Sequence, residues 1–419
     1  MKVTILFDNL GPYHICRIRE VIRVAQVTAI EFGGKSASYD WSSEYDGVPI
    51  VTLNPDGTSW DMGRNDFKQK LDFALANSKP DVVFVPGWGF LGSRLAMKWC
   101  VTNKIRFVIM SESTVMDSPR FFITEWVKSQ IVALASSALV GGLPHVEYLE
   151  ILKMSKDYIF RGYDVVDNHY FKKMAFEKKE KAKGKSYFLA SNRFVEKKNL
   201  LRLINAYAQY LVNLKKGNEI NYNLKIEPWP FIFLGDGELK LDILKYCQSL
   251  NILFRDMMGE SWDVLTHQIA LFKNGGIIFA GFRQFQDLPA FYANAGVFVH
   301  ASTTEQWGLV INEAMASGLP VIVSNHCGCA LDLVHQGVNG FTFDPYDIKD
   351  LNNLLQQFSC MAPESLAEMG REGQNIVDEV ASPERFRDGF EAAAKVALSR
   401  PVPKAPHITR LLLDILSLW

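Results

Sequence analysis

The sequence predicts an α/β protein of two halves, each a parallel sheet with helices between its strands. Three observations carry that reading. The 419 residues can bury two ordinary cores, whereas one compact domain of that size would be unusual. Short apolar, β-branched runs pass through a glycine-containing turn into a helical stretch, as at residues 2–23 and 231–238, and residues 298–324 read as a complete strand, helix and strand. Apolar residues make up 48%, aromatic residues 12% and charged residues 22%, the composition of a soluble globular chain rather than a disordered or membrane-spanning one.

Charge and cysteine usage narrow the function. A formal net charge of -1 gives no reason to expect nucleic acid as a partner. The cysteines at 16, 100, 247, 327, 329 and 360 form no CxxC pair and no zinc-finger spacing, so reduced thiols in a cytoplasmic enzyme are expected. The opening MKVTILF lacks the charged start and long apolar run of a signal peptide and reads as a first strand. No segment reaches the roughly eighteen uninterrupted apolar residues that span a bilayer.

In the first half, residues 2–7 form a buried strand, and Asp8-Asn9-Leu10-Gly11-Pro12 is a tight turn before a helix at 13–23. The turn is not a GxGxxG, so a dinucleotide is not indicated. His14, at the start of that helix, reads either as a satisfied surface histidine or as a substrate contact. Strands at 27–32 and 49–53 and a helix at 66–76 follow. The run DVVFVP at 81–86 is a buried strand closing in Gly87-Trp88-Gly89, where Trp88 is a stacking platform or a core plug. A strand at 105–110 leads to Glu112, placed to bond a hydroxyl or to cap the helix after Pro119. A strand at 137–141 and a helix at 145–152 close this half. Residues 172–185, dominated by Lys and Glu, read as a solvated linker, or else as a basic hinge near anionic lipid.

The second half opens with a strand at 187–190 and then Ser191-Asn192-Arg193-Phe194-Val195-Glu196-Lys197-Lys198-Asn199. Arg193 and Lys198 project from one strand-to-helix turn and can converge on one diphosphate, although as a lone pair they would read as surface charges. A strand at 231–234 precedes Gly235-Asp236-Gly237-Glu238, a plain turn or a close backbone approach to a ligand. Residues 251–276 are longer than such connections usually need. A strand at 277–280 ends at Gly281-Phe282-Arg283, and a helix at 288–295 leads to residues 298–345. There Glu305 in the loop and Glu313 in the helix have seven residues between them, and Trp307, Gly308 and Leu309 start the helix. Unpaired N–H groups at a helix start attract phosphate, and carboxylates accept hydrogen bonds from vicinal hydroxyls. Together they suit a polyol-bearing phosphate ester; taken singly, the two acids are an ordinary loop charge and an ordinary helical Glu. Helices at 348–358, 363–380 and 383–398 precede a tail at 407–419 whose broad apolar face docks on the first half or lies at a membrane interface.

The order of carboxylate, Trp-Gly, carboxylate and then AMASGLPVIVS resembles the E-x7-E signature of retaining GT-B glycosyltransferases of the family 4 type, which use nucleotide-sugar donors. Residues 191–199 resemble that family's G-R-L-x-x-x-K-(G/N) element, with Asn192 in place of the usual Gly, and residues 161–171 resemble its G-V-D-x-x-x-F crossing segment. The resemblance is sharp from residue 187 onward, apart from an insertion at 251–276, and weak before it. It implies two Rossmann-like, doubly wound domains facing a central cleft: an acceptor domain at 1–163, a linker at 164–184, a donor domain at 185–395, and a tail at 396–419 returning to the N-terminal domain.

The implied reaction moves a sugar from a nucleoside diphosphate sugar, such as a UDP- or GDP-sugar, to a hydroxyl of a glycan, lipid-linked glycan or small molecule, with retention. Carried over residue by residue, Arg193 and Lys198 neutralise the leaving diphosphate, Glu305 positions sugar hydroxyls and Glu313 the ribose diol. Trp307, Gly308, Leu309, Gly235, Asp236 and Gly11 complete the donor-binding candidates, with Phe282 and Arg283 on the base side. His14 is a catalytic candidate without a firm role, and Trp88 and Glu112 are acceptor candidates. Glu112 stands near a place where the family often has a histidine, Asp332 where it has Glu, and Cys329 where a second Gly is common. No Asp-x-Asp motif occurs, so neither metal nor cofactor is expected. A nucleotide-sugar 2-epimerase on the same fold and a non-catalytic sugar-nucleotide binding subunit are the other readings; loss of Glu305, Arg193 or Lys198 would mark the latter, and all three are present. The expected location is cytoplasmic, with peripheral contact with the inner face of the membrane as an option.

Overall fold

The computed structural model describes residues 1–35, 47–179, 186–220 and 226–417. The chain forms two compact units, Met1–Asp167 with Ala381–Trp419, and Asn168–Val380.

The first unit is built on β1 (Lys2–Phe7), β2 (Gln26–Glu31), β3 (Ile50–Thr52), β4 (Val82–Pro86), β5 (Arg106–Ser111), β6 (Ser137–Val140) and β7 (Ile159–Arg161). They form a parallel seven-stranded sheet in the order β3-β2-β1-β4-β5-β6-β7. Helices cover both faces of such a sheet, which is why β1 from Val3 to Phe7 and β4 from Val82 to Val85 are continuously buried rather than alternating. The order reverses between β1 and β4, so the turns after these two strands flank the crevice where open α/β sheets take ligands.

Two C-terminal helices complete this unit. Helix Pro383–Ser399 lies on the sheet: Phe390 stacks on Phe84 of β4 at 4.2 Å, and Ser137 Oγ donates to the Ala393 carbonyl at 2.8 Å. The expected donor-domain boundary at 395 is therefore corrected, because the apolar side of this helix finds its partners in the first sheet. The tail forms helix His407–Leu416, with Leu413 in the core of the same unit and Lys98 Nζ 2.6 Å from Asp414 Oδ1.

The second unit contains β8 (Phe188–Ser191), β9 (Phe231–Leu234), β10 (Phe254–Asp256), β11 (Ile277–Gly281), β12 (Val297–His300), β13 (Val321–Ser324) and β14 (Gly340–Phe343). Again the sheet is parallel, in the order β10-β11-β9-β8-β12-β13-β14, and here the winding reverses between β8 and β12. An aromatic cluster of Phe188, Tyr207, Tyr210, Trp229 and Phe231 fills one side. The Tyr207 hydroxyl takes the Gly276 N–H at 2.8 Å, so this wet end of the ring is satisfied inside the core.

Two expectations change in this unit. Residues 251–276, read as an insertion of unknown role, supply edge strand β10 and helix Trp262–Leu271, one further strand-and-helix unit of the sheet. Of the expected linker at 164–184, residues 168–178 form helix Asn168–Lys178. Its Phe171 is buried and meets Phe285 edge-on at 5.3 Å and Tyr292 at 6.0 Å. Phe171 and Ala175 are one turn apart and make a narrow apolar stripe within a Lys-rich sequence, enough to dock a helix. Residues 180–185 of the linker expectation lie outside the described residues.

Candidate functional site

The two loops beside the reversal in the second sheet carry the residues singled out from sequence. The loop after β8 runs through Asn192 and Arg193 to the short turn Glu196–Lys198, and Asn199 ends it in a left-handed conformation at φ 59°. The loop after β12 runs through Glu305 to Gly308, the N-cap of helix Leu309–Ala316. Topology makes these loops neighbours, and specific bonds join them. Thr303 N–H donates to the Lys197 carbonyl at 2.8 Å. The Asn199 amide donates to the carbonyls of Ala301 at 3.0 Å and Pro345 at 2.8 Å.

At their meeting point Lys198 Nζ forms an ion pair with Glu305 Oε2, with Lys197 Nζ 4.0 Å from the other oxygen. Ser302 Oγ lies 3.4 Å from Glu305 Oε2 and 2.9 Å from His300 Nε2, and that nitrogen is 3.4 Å from Glu305 Oε2. Burial alone would raise the Glu305 carboxyl, but the His300 hydrogen bond and the Lys198 charge outweigh it and hold the acid well below the usual carboxylate range. His300 is buried, and burial pushes it down, so the ring is neutral with its Nε2 proton facing the carboxylate.

Gly308 has φ 105°, a conformation that L side chains rarely adopt, and a Cβ there would stand 2.9 Å from Ile311 Cδ1. The N–H groups of Leu309 and Val310 have no intrahelical acceptor, while the Ile311 N–H donates to the Gly308 carbonyl at 2.8 Å. The loop pair thus presents a cation, a carboxylate and unpaired amides together, which is what an anion flanked by hydroxyls requires.

The remaining candidates separate. Glu313 lies beneath the helix start, 2% exposed, and takes the Tyr292 hydroxyl at 2.7 Å. Trp307, expected to touch the donor, is 2% exposed and its indole N–H donates to Asn312 Oδ1 at 2.9 Å; it is a core residue that anchors the loop from inside. Arg193 shares the Lys198 loop, with an exposed side chain. Gly235 and Asp236 brace that loop from behind: Asn192 N–H donates to Leu234 O at 2.9 Å and Phe194 N–H to Asp236 O at 2.8 Å. Gly235 sits at φ 116°, and a Cβ there would be 1.8 Å from the Asn192 carbonyl oxygen, so the close backbone approach is to the neighbouring loop. Phe282 is exposed at the sheet edge after β11, whereas Arg283 donates to the Glu260 carbonyl at 2.7 Å.

In the first unit, the Gly11 N–H donates to His14 Nδ1 at 3.1 Å, which leaves the imidazole proton on Nε2. Burial, and then the Arg17 charge, push His14 down to about 3, so its ring is neutral. Trp88 is half-buried and packs against the core of this unit, as a plug would. Glu112 is hydrogen-bonded to Asp164, whose carboxyl is raised well above its ordinary value by burial and then by the Glu112 charge. Arg17 Nη2 lies 3.8 Å from Asp164 Oδ1. Glu112 is not the cap of the following helix, Phe122–Val132, whose N-cap Phe121 has no side-chain hydrogen bond.

Sequence reasoning missed His300, Ser302, Lys197 and Tyr292. A histidine ending an apolar strand five residues before Glu305 was the available signal for His300; Tyr292 has none, because only folding brings its helix over Glu313. Among the described residues no three His, Cys, Asp or Glu side chains are grouped as a metal site.

Two parallel α/β sheets, the second carrying a cation, a carboxylate and a helix start at its reversal point, define a nucleotide-type binding enzyme class. Residues 171–376 match the family described as glycosyl transferases group 1. An alpha-1,3/1,6-mannosyltransferase of Debaryomyces hansenii is 22% identical over 72% of this chain and 64% of its own length. A sulfoquinovosyl transferase of Arabidopsis thaliana is 32% identical over 38% of the chain and 25% of its own length. The matched part of the chain thus spans less than two thirds of either relative. Among solved structures, the Anabaena HepE protein in complex with UDP and glucose superposes with a TM-score of 0.64 at 17% identity, over 94% of this chain and 99% of that one. Sucrose-phosphate synthase from Thermosynechococcus elongatus gives 0.65 at 14% identity, over 95% and 100%. Residues 171–376 thus belong to the group 1 glycosyltransferase family, and the chain as a whole has the GT-B fold of these structures.

Proposed function

We propose that the chain transfers a sugar from a nucleoside diphosphate sugar to an acceptor hydroxyl with retention of anomeric configuration. The observation that carries this reading is the joining of the Lys198 loop to the Glu305 loop beside the helix start at Gly308. As the bond to the sugar breaks, negative charge gathers on the departing phosphate. Lys198, Arg193 and the amides of Leu309 and Val310 neutralise it, and their effect falls on turnover. Glu305, held ionised, accepts hydrogen bonds from sugar hydroxyls, and Glu313, oriented by Tyr292, accepts the ribose diol. Phe282 flanks the base.

In the first unit, neutral His14 offers Nε2–H to the sugar or acceptor, and Glu112 and Trp88 are the acceptor-side candidates. We assign the positive charge at the diphosphate to these side chains and not to a metal ion. A UDP- or GDP-sugar donor is supported by the UDP complex of the Anabaena neighbour and by the names of the relatives, and a glycan or lipid-linked glycan acceptor by the mannosyltransferase. The location that fits is cytoplasmic and peripheral to a membrane. A thermal-shift screen of nucleotide sugars, followed by NMR of the product's anomeric carbon, tests the reading. Donor consumed without acceptor to give an isomeric nucleotide sugar would overturn it, as would inversion at the anomeric carbon.

A further inference from the structure

We infer that one outer face of the first unit docks on an anionic lipid bilayer. The face is formed by helix His407–Leu416 and the start of helix Phe122–Val132, and the inference goes beyond glycosyl transfer without resting on it.

The C-terminal helix is apolar on two sides. One side docks through Leu413, which is buried, with Thr409 Oγ1 3.3 Å from Gln130 Oε1. At 100° per residue, Ile408, Leu411 and Ile415 point away from that contact, and they are 52%, 58% and 43% exposed. Arg94 Nε donates to the Leu416 carbonyl at 2.8 Å and Lys98 pairs with Asp414, so the helix runs antiparallel to helix Leu91–Asn103. Helices Leu91–Asn103 and Phe122–Val132 follow the adjacent parallel strands β4 and β5 and run the same way. Seven residues forward from Thr409 and seven back from Gln130 therefore bring Leu416 and Ile123 to one level, about 10 Å along. Phe122 and Ile123 are 87% and 73% exposed there, with Trp126 one turn on.

The protruding segment is held in place rather than loose. Thr114 Oγ1 bonds Asp117 Oδ1 at 2.7 Å, and Arg120 Nη1 donates to the Tyr148 hydroxyl at 2.8 Å. A fixed apolar projection of this size on a folded surface marks an interaction site.

Charge identifies the occupant. The other flank of the same helix borders a groove of about 630 Å³ lined by Lys98, Lys104, Lys404 and Arg410, with Asp414, already paired to Lys98, as its one acid among the described residues. An apolar band beside a cluster of cations is the arrangement of a helix lying in anionic headgroups. Among the described residues no helix is long and apolar enough to cross a membrane, which limits this contact to the surface.

Sedimentation of the full chain with vesicles tests the assignment. Vesicles of phosphatidylglycerol and phosphatidylethanolamine should recover the protein, with recovery falling severalfold at high salt. The doubly substituted Leu411→Glu, Ile415→Glu chain should lose at least tenfold in partitioning, and Phe122→Ser with Ile123→Ser should do the same. Each of Lys104→Glu, Lys404→Glu and Arg410→Glu should cost about fivefold or more. All these positions are exposed, so unchanged circular dichroism and melting temperature will separate lost docking from misfolding. Wild-type protein left in the supernatant overturns the inference, as does equal recovery on pure phosphatidylcholine. So does a dimer that Leu411→Glu dissociates while vesicles recover nothing, since a second copy would then be the occupant.

Discussion

Lys198 and Glu305 hold each other's charge, and their separation should be measurable in two ways. Lys198→Met removes a cation that acts on the departing phosphate, and turnover should fall about a hundredfold with a smaller change in donor affinity. The same change removes a cause of the depressed Glu305 acid. A carboxyl with a folded-state pKa below its unfolded value contributes stability that is full above the unfolded value and lost as pH falls through the folded one. With Lys198 in place that loss is confined to strongly acid solution; in Lys198→Met it should begin at higher pH. Urea denaturation between pH 3 and pH 7, a window set by the ordinary carboxylate value, checks this. Asn192 offers the opposite balance. It is 8% exposed and, among the described residues, neither its side-chain nitrogen nor its side-chain oxygen has a partner, a burial that costs about 1–3 kcal/mol. Asn192→Ala should therefore raise the melting temperature while raising the donor KM severalfold; a loss of stability would show that the amide serves the fold alone.

At the level of elements, the loops depend on backbone contacts that no side chain announces. Gly235→Ala places a Cβ 1.8 Å from the Asn192 oxygen at φ 116°, and should cost about 2 kcal/mol or more while displacing the Lys198 loop. Lower melting temperature together with lower turnover is expected, and unchanged turnover would uncouple the two loops. The sequence marked that glycine turn correctly but not its neighbour, because a pattern reports permissive backbone without reporting what approaches it. The same holds for residues 251–276, where length suggested an insertion; the three-residue edge strand β10 is too short to stand out by period and is fixed by pairing with β11.

For the whole molecule, the division of the chain is set by packing rather than by order along it. A chain ending at Val380 would lose Phe390 from its stack on Phe84 and the cap that Ala393 gives Ser137. Removing a buried Phe costs about 3–5 kcal/mol, a large share of a domain's stability. The truncated chain should lose the unfolding transition of the first unit while keeping that of the second, as calorimetry would show. Strands such as β1, β4 and β9 were legible because each is a short buried run that passes into a turn containing glycine. The E-x7-E spacing and the Arg193–Lys198 turn were legible because a helix start and a strand end lie a fixed few residues from the groups they position. Those strands, turns and helix starts were thus determined by the amino-acid order alone, whereas edge strand β10 and helix Asn168–Lys178 were fixed by their partners. Only the tertiary structure decided that Trp307 faces the core, that His300 and Tyr292 support the two acids, and that helix Pro383–Ser399 returns to the first sheet. Those outcomes depend on which apolar face finds which partner across tens to hundreds of residues, and such a choice is made by the packing of the finished sheets.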